Sequence, residues 1–293
     1  MNNYTVGALD FNAMFLNGIT RMGMNPGLKQ LLLHGSGQMD PGMTGIARCE
    51  PEFTLTTTEI KTALAGLGGV SGVAIATSNT SVYFTKMAAA DRAAGDVNAK
   101  STIVAGGIYP INLKAGLTEA AEMDYRIVCI SADGTTAPVA TVYNVALSAS
   151  QGETDEQYVL GAISINGTAL DGQNQLEWDF GYEVFVGGGL MYPTVCAAMR
   201  RAMKLTITNT GISYYETIGL VGAAQGVTDS TIALDDVAIG GIRGSAPITL
   251  AIDEGNISTE EITGNDGESL GSRITIQPVY DGTAACVAIT GIT

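Results

Sequence analysis

The sequence predicts a mainly β protein built as two tandem β-sandwich or barrel domains, each with one short flanking α-helix. Two observations carry that reading, and the first is a recurring stretch. Residues 48–60 read R-C-E-P-E-F-T-L-T-T-T-E-I and residues 200–212 read R-R-A-M-K-L-T-I-T-N-T-G-I, superposing at an offset of 152. The matches extend outwards: Pro41 falls on Pro193, Gly35-Ser36-Gly37 on Gly187-Gly188-Gly189, and Tyr4-x-x-Gly7-Ala8 on Tyr158-x-x-Gly161-Ala162. Downstream, D-G-T-T-A-P-V-A from Asp133 answers D-G-T-A-A-C-V-A from Asp281. The offset drifts from 154 through 152 to 148 while the order never changes, as small insertions in a duplicated unit produce. The second observation is the run of short apolar, Thr-rich and aromatic segments punctuated by Gly, Pro, Asn and Asp, the pattern of strands and tight turns. The expected domains are residues 1–147 and 157–293, joined by the polar link 148–156, S-A-S-Q-G-E-T-D-E.

In the first unit, strands are expected at 4–11, 26–34, 43–49 and 52–57, with Pro51 between the last two. Leu31-Leu32-Leu33 is continuous and apolar, which suggests burial on both faces. A helix of about three turns follows over 58–67, where Ile60, Ala63, Leu64 and Leu67 share one face. Thr58 is placed to cap it and Gly68-Gly69 to end it. Residues 72–77 and 80–87 fit a hairpin around Ser78-Asn79, and the small, polar 88–101 fits a loop or arm. Strands resume at 102–105, 109–114, 123–132 and 138–147, with Asp133-Gly134 turning between the last two.

The second unit opens with a strand at 158–165 and the turn Asn166-Gly167. Residues 176–184 fit a single half-buried strand, with Leu176, Trp178, Phe180, Tyr182 and Val184 facing in and Glu177, Asp179 and Glu183 facing out. A helix is expected at 210–220, and 235–245 forms a second arm of small residues.

Asp and Glu number 29 against 14 Lys and Arg, a formal charge of −15 without a basic run, which argues against tight phosphate-mediated nucleic-acid binding. Only 15% of residues are charged and 38 are glycine, a balance that suits a chain largely covered by other subunits. Cys49, Cys129, Cys196 and Cys286 form no C-x-x-C pair and do not superpose between repeats, so buried free thiols are expected rather than a zinc or disulfide framework. The first residues lack a basic n-region, and no apolar run reaches the roughly 18 residues of a membrane span, so cytoplasmic synthesis and no membrane span are expected.

Catalytic signals are sparse. His34 is the lone histidine, at a strand end beside a glycine turn, and is expected to be structural. The glycines from Gly66 to Gly72 follow a helix instead of opening one, so they fit a helix stop and not a phosphate loop. Glu177, Asp179 and Glu183 could be taken for a metal or glycosidase site, but the matching stretch 24–32 carries no carboxylate, and a solvated strand face accounts for them. No catalytic, cofactor or metal site is expected.

The run Y-V-L-G-A-I-S-I-N-G-T-A-L from Tyr158, the acidic strand through Trp178-Asp179-Phe180-Gly181, Met191-Tyr192-Pro193 and Lys204-Leu-Thr-Ile-Thr resemble the tail tube proteins of long-tailed bacteriophages. The similarity covers most of the second repeat and, more faintly, the first. It implies a β-sandwich or small barrel with one helix, assembled into rings that stack into a hollow tube for DNA, in the virion tail and assembled in the bacterial host cytoplasm. The implied partners are further copies of the chain, tape measure and terminator proteins and a possible sheath, with DNA passing unbound. Another virion role, as terminator, capsid decoration or fibre adhesin, is the alternative, and a glycan hydrolase fits less well.

Three expectations follow. A wall that passes DNA is better lined with acid, which makes Glu177 and Asp179 candidate lumen residues, matched in the first repeat by the uncharged Asn25 and Gly27. The arms 88–101 and 235–245 should order only against a neighbour. Tube rings of the resembling family usually hold six copies of the fold, so two per chain implies a trimer of chains with pseudo-sixfold symmetry.

Overall fold

Alternating apolar residues and tight turns give strands almost throughout. The computed structural model describes residues 4–12, 14–33, 36, 39–40, 43–76, 79–87, 97–147, 156–210, 225–237, 243–244, 247–263, 271–280 and 285–292. The first twelve strands are β1 (Tyr4–Phe11), β2 (Met14–Leu16), β3 (Ile19–Asn25), β4 (Leu28–Leu33), β5 (Met43–Cys49), β6 (Glu52–Thr57), β7 (Val73–Ile75), β8 (Thr80–Lys86), β9 (Asn98–Ile103), β10 (Ala105–Gly116), β11 (Glu122–Ile130) and β12 (Val139–Val145). Helix α1 (Ile60–Gly66) lies between β6 and β7. Twelve more follow: β13 (Tyr158–Ile165), β14 (Thr168–Leu170), β15 (Gln173–Asp179), β16 (Tyr182–Gly187), β17 (Val195–Arg201), β18 (Lys204–Thr210), β19 (Gln225–Val227), β20 (Ser230–Asp236), β21 (Ile248–Ile252), β22 (Gly255–Thr263), β23 (Gly271–Pro278) and β24 (Ala288–Thr290).

A ten-stranded central sheet runs β19-β22-β23-β18-β15-β10-β11-β6-β3, with β7 also on β10. Two five-stranded sheets, β12-β9-β8-β1-β2 and β14-β13-β20-β21-β24, accompany it, and β4-β5 and β16-β17 form two-stranded hairpins. Adding twelve to each strand number of the first set turns its pairings into those of the second. The irregularities repeat as well. The β1–β8 ladder shifts between Val6 and Leu9 and the β13–β20 ladder between Leu160 and Ile163, while Lys29/Gln30 on β4 answers Glu183/Val184 on β16. Left-handed backbone recurs at Asn12 and Asn166 (φ 50° and 52°) and at Gly27 and Gly181 (φ 58° and 59°). The ladder between β10 and β15 stands outside this scheme, because it joins the two sets.

One continuous core unites the three larger sheets. Phe53, Leu55, Tyr125, Ile127, Leu176, Trp178, Leu205, Ile207, Ile274 and Ile276 come from the central sheet and are all but fully buried. Leu9 and Val82 meet them from one outer sheet, Leu160, Ile232 and Leu250 from the other. Burying a large apolar side chain contributes about 1.5–3 kcal/mol, so this cluster is the main stabilising feature.

Helix α1 buries the expected face, Ile60, Ala63 and Leu64 with Leu67 just beyond, and Gly68 and Gly69 (φ 80° and 60°) follow its end. It has seven residues, about two turns and not three. Thr58 does not cap it. The cap residue is Glu59, whose carboxylate instead accepts the Asn17 and Gly18 amides at 3.1 and 3.0 Å, while the Thr58 hydroxyl donates to the Gly18 carbonyl. Loop-to-helix bonding replaced the local cap.

Several other expectations change. Strands β2 and β3 occupy a stretch that carried no strand assignment. Leu31 and Leu32 are half exposed, because β4 pairs only with β5 in a hairpin and is not sandwiched. β7 and β8 are not hairpin partners: β7 pairs with β10, and β8 with β1 and β9. The 176–184 strand breaks at Phe180-Gly181 into β15 and β16, since the positive φ of Gly181 turns the chain. Residues 98–101, expected in an arm, lie in β9, and 235–236 lie in β20. The remaining arm segments 88–96 and 238–242, His34, the link 148–155 and nearly all of the expected second helix fall outside the described residues.

Candidate lumen face and assembly edges

On β15 the side chains alternate, with Leu176 and Trp178 in the core and Glu177 and Asp179 exposed. Glu177 stands opposite Lys114 on β10 and Thr206 on β18, and Lys114 Nζ lies 3.4 Å from its carboxylate. Asp179 stands opposite Asn112 and Lys204, and its Oδ1 accepts the Gly181 amide at 2.8 Å, stapling the turn into β16. Arg273 shares a shallow depression with Glu177, Asp179, Lys204 and Thr206. Across β11, β6 and β3 the same rungs carry Asp124, whose carboxylate accepts the Thr56 hydroxyl, and Arg21, 3.7 Å from Glu122. Arg126 Nη2 pairs with Glu52 at 2.6 Å.

The outer face of the central sheet is therefore a ladder of mixed charge. Five acids, Glu52, Glu122, Asp124, Glu177 and Asp179, are interspersed with Arg21, Lys114, Arg126, Lys204 and Arg273. Such exposed pairs contribute about 0–1 kcal/mol each, so their role is to set surface potential and not stability. Glu183, grouped with Glu177 and Asp179 by sequence, sits past the break on β16 and pairs with Arg200. Among the described residues no three metal-ligating side chains gather, and all four cysteines are free, Cys49 and Cys129 buried and Cys196 and Cys286 half-buried.

The first-repeat counterparts of Glu177 and Asp179 also need correcting. β3 and β15 superpose at an offset of 154, which makes the counterparts Gly23 and Asn25 and not Asn25 and Gly27. The offset becomes 152 only after the hairpin loops, since 34–42 between β4 and β5 is two residues longer than 188–194 between β16 and β17.

At the β10–β15 joint, Leu113 faces Trp178 and Ala115 faces Leu176, all buried, and the Phe180 amide donates to the Ile111 carbonyl at 2.9 Å. The β16–β17 hairpin then lies over the first set of strands. The Tyr182 hydroxyl and the Arg201 guanidinium both donate to the Val70 carbonyl, at 2.6 and 2.7 Å. The Cys49 amide donates to the Met191 carbonyl at 2.8 Å, and the Gly134 carbonyl accepts from Met191 and Tyr192 at 2.9 and 3.0 Å. Tyr109, packed on Tyr182 with centroids 5.8 Å apart, has its pKa pushed up to about 12 by burial and then by nearby Cys196. Asp133 fixes the loop that presents Gly134. Its carboxyl is held well below the usual carboxylate range by the Thr136 amide first, then the Thr136 hydroxyl, the Thr135 amide and the Ser131 hydroxyl.

Among the described residues the outer side of β3 and the side of β22 beyond its β19 pairing carry no partner strand, whereas their counterparts β15 and β10 pair with each other. The hairpins are bare as well, with Leu28, Leu31, Leu32 and Ile46 exposed on β4–β5 and Phe185, Val195 and Met199 on β16–β17. Such edges leave backbone N–H and C=O groups unpaired, and these apolar side chains stay in contact with water. The sequence pattern singled out Glu177 and Asp179 but not Lys114 and Lys204, which stand opposite them, nor Arg273 in the same depression. The alternation of Met22 and Met24, which answer Leu176 and Trp178 at an offset of 154, was the signal that could have located the β3 edge. No protein-family profile matches the chain, and no curated protein matches it.

Proposed function

We propose that this chain is a structural virion protein, two tandem tail-tube-like domains that polymerise as stacked rings into the hollow tube through which phage DNA passes. The observation that carries the proposal is the central sheet: the β10–β15 ladder joins two like sets of strands side by side, and the same sheet ends in two open edges. A unit with one closed joint and two unlike free ends associates head to tail, and such association closes into a ring when its rotation permits. The duplication makes every second joint intramolecular, where a short link supplies an effective concentration on the order of millimolar. Three chains then supply six units.

In this reading the mixed-charge face, with Glu177 and Asp179, lines the channel. That wall is mixed in charge and not the acid lining expected from the sequence; acids interspersed with bases give DNA no continuous basic track, so phosphates pass without the counterion release that drives binding. The apolar side chains that the hairpins still expose, Leu31 on β4 and its counterpart Phe185 on β16 with Met199 on β17, are the surfaces offered to adjoining rings or to tape measure, terminator and sheath proteins. Negative-stain microscopy of concentrated purified protein tests the proposal. Hollow tubes of regular repeat are expected. Compact closed particles point to a terminator or capsid-decoration role, and hydrolysis of glycans by such particles refutes the structural role altogether.

A further inference from the structure

The internal joint supplies a template for the external one. β10 pairs with β7 over Gly106–Ile108 and then with β15 over Asn112–Gly116; β22, its counterpart, pairs on the same side with β19 over Gly255–Ile257 and then, among the described residues, has no partner strand on that side over 261–263, where its other side stays on β23. The correspondence is fixed by the ladders themselves. The β10–β11 register shifts between Pro110 and Asn112 and the β22–β23 register between Thr259 and Glu261, an offset of 149. β3 superposes on β15 at 154, by the same test applied to β6 and β18.

We infer that β3 of one copy pairs antiparallel with β22 of a second copy, in the register that sets Met24 opposite Ile262, Asn25 opposite Glu261 and Gly23 opposite Thr263. Side-chain exposure marks the same pair. Trp178 and Leu113, which face each other at the internal joint, are 0% and 1% exposed, whereas their counterparts Met24 and Ile262 are 45% and 43% exposed. Two large apolar residues stand bare at the two positions that the template brings together.

The hairpin repeats the asymmetry. Met191, whose carbonyl takes the Cys49 amide, is 37% exposed; Met39, its counterpart in the shared Met-x-Pro, is 96% exposed. By the same template the β4–β5 hairpin of one copy lies over the second copy's strands, and the Arg201 amide, the counterpart of Cys49, donates to the Met39 carbonyl. The occupant is thus a second copy of this chain and no other protein. This inference rests on the self-assembly reading above, but it names a register which that reading does not require.

The test is disulfide trapping in the full chain. Met24→Cys with Ile262→Cys, oxidised under assembly conditions, should give interchain links ending in a covalently closed ring. The yield should exceed the mismatched pair Met24→Cys with Val279→Cys about tenfold, because a disulfide forms only where Cβ atoms lie roughly 3.5–4.5 Å apart. Tubes whose matched pair links no better than the mismatched pair overturn the register while leaving the tube reading intact. Unaltered protein that stays a single chain at every concentration overturns both. As a second measurement, Met24→Lys with Ile262→Lys should leave the folded chain and its unfolding transition unchanged while abolishing rings; undiminished assembly of that variant refutes the joint.

Discussion

Trp178 on β15 and Leu113 on β10 stand opposite each other, both buried, in the ladder that, among the described residues, unites the two sets of strands. Trp178 also stacks on Phe180, centroids 5.3 Å apart with the rings 21° from parallel, while its indole nitrogen has no hydrogen-bond partner. Its contribution is therefore packing and not polar bonding. Trp178→Ala should cost about 3–5 kcal/mol, whereas Trp178→Phe, which also removes an unpaired buried N–H, should cost much less. Denaturant unfolding followed by circular dichroism measures both, and equal losses would rule out the packing role.

Gly27 and Gly181 turn the chain out of the central sheet into the two hairpins. A Cβ at either would meet a carbonyl, that of Glu50 or of Ala202, at a backbone conformation L-residues avoid. Gly27→Ala and Gly181→Ala should each destabilise by about 1–3 kcal/mol, and by similar amounts if the two turns are equivalent. Thermal melts of the two variants compare them directly.

Tyr109 gives a pH dependence at the seat of the β16–β17 hairpin. Its folded pKa, about 12, exceeds the ordinary value of 10.0, so the unfolded chain loses its phenolic proton first. The associated stability is present in full below about pH 10 and is lost as the pH rises towards about 12. Buried Tyr125 and Cys129 are also pushed up by desolvation and act in the same direction. Tyr109→Phe should flatten part of the alkaline decline in unfolding midpoint; an unchanged profile would exclude Tyr109 as a contributor.

The lumen assignment is tested by reversing charge. Glu177→Lys with Asp179→Lys would leave Lys114, Lys204 and Arg273 without those acids nearby and create a basic track along the sheet. Because both carboxylates are exposed, stability should change by about 1 kcal/mol or less. Tubes of the variant should retain DNA at low salt and release it as salt rises, whereas unaltered tubes retain none. Variant tubes indifferent to DNA would place these residues elsewhere.

Much of the fold was legible because period-two patterns survive wherever one sheet face is buried. β1, β5, β6 and β13 begin and end where the sequence pattern puts them, and the helix face is as expected. Failures cluster where partners, not propensity, decide. Leu31 and Leu32 look like core by composition yet lie on a two-stranded hairpin, and the adjacent-looking β7 and β8 seek distant partners. Glu177 and Asp179 were visible through alternation, but their pairing with Lys114 and Lys204 comes from the β10 and β18 registers, which no local pattern encodes.

The number of chains in one ring tests the proposed assembly most directly. Averaged electron images of the tube, processed with threefold and with sixfold symmetry, count it. Three chains per ring are expected, with a near-sixfold backbone and side chains that repeat only every second unit, Leu176-Glu177-Trp178 alternating with Met22-Gly23-Met24 around the channel. Six whole chains per ring, with one set of strands in the wall and the other outside it, would contradict the proposal.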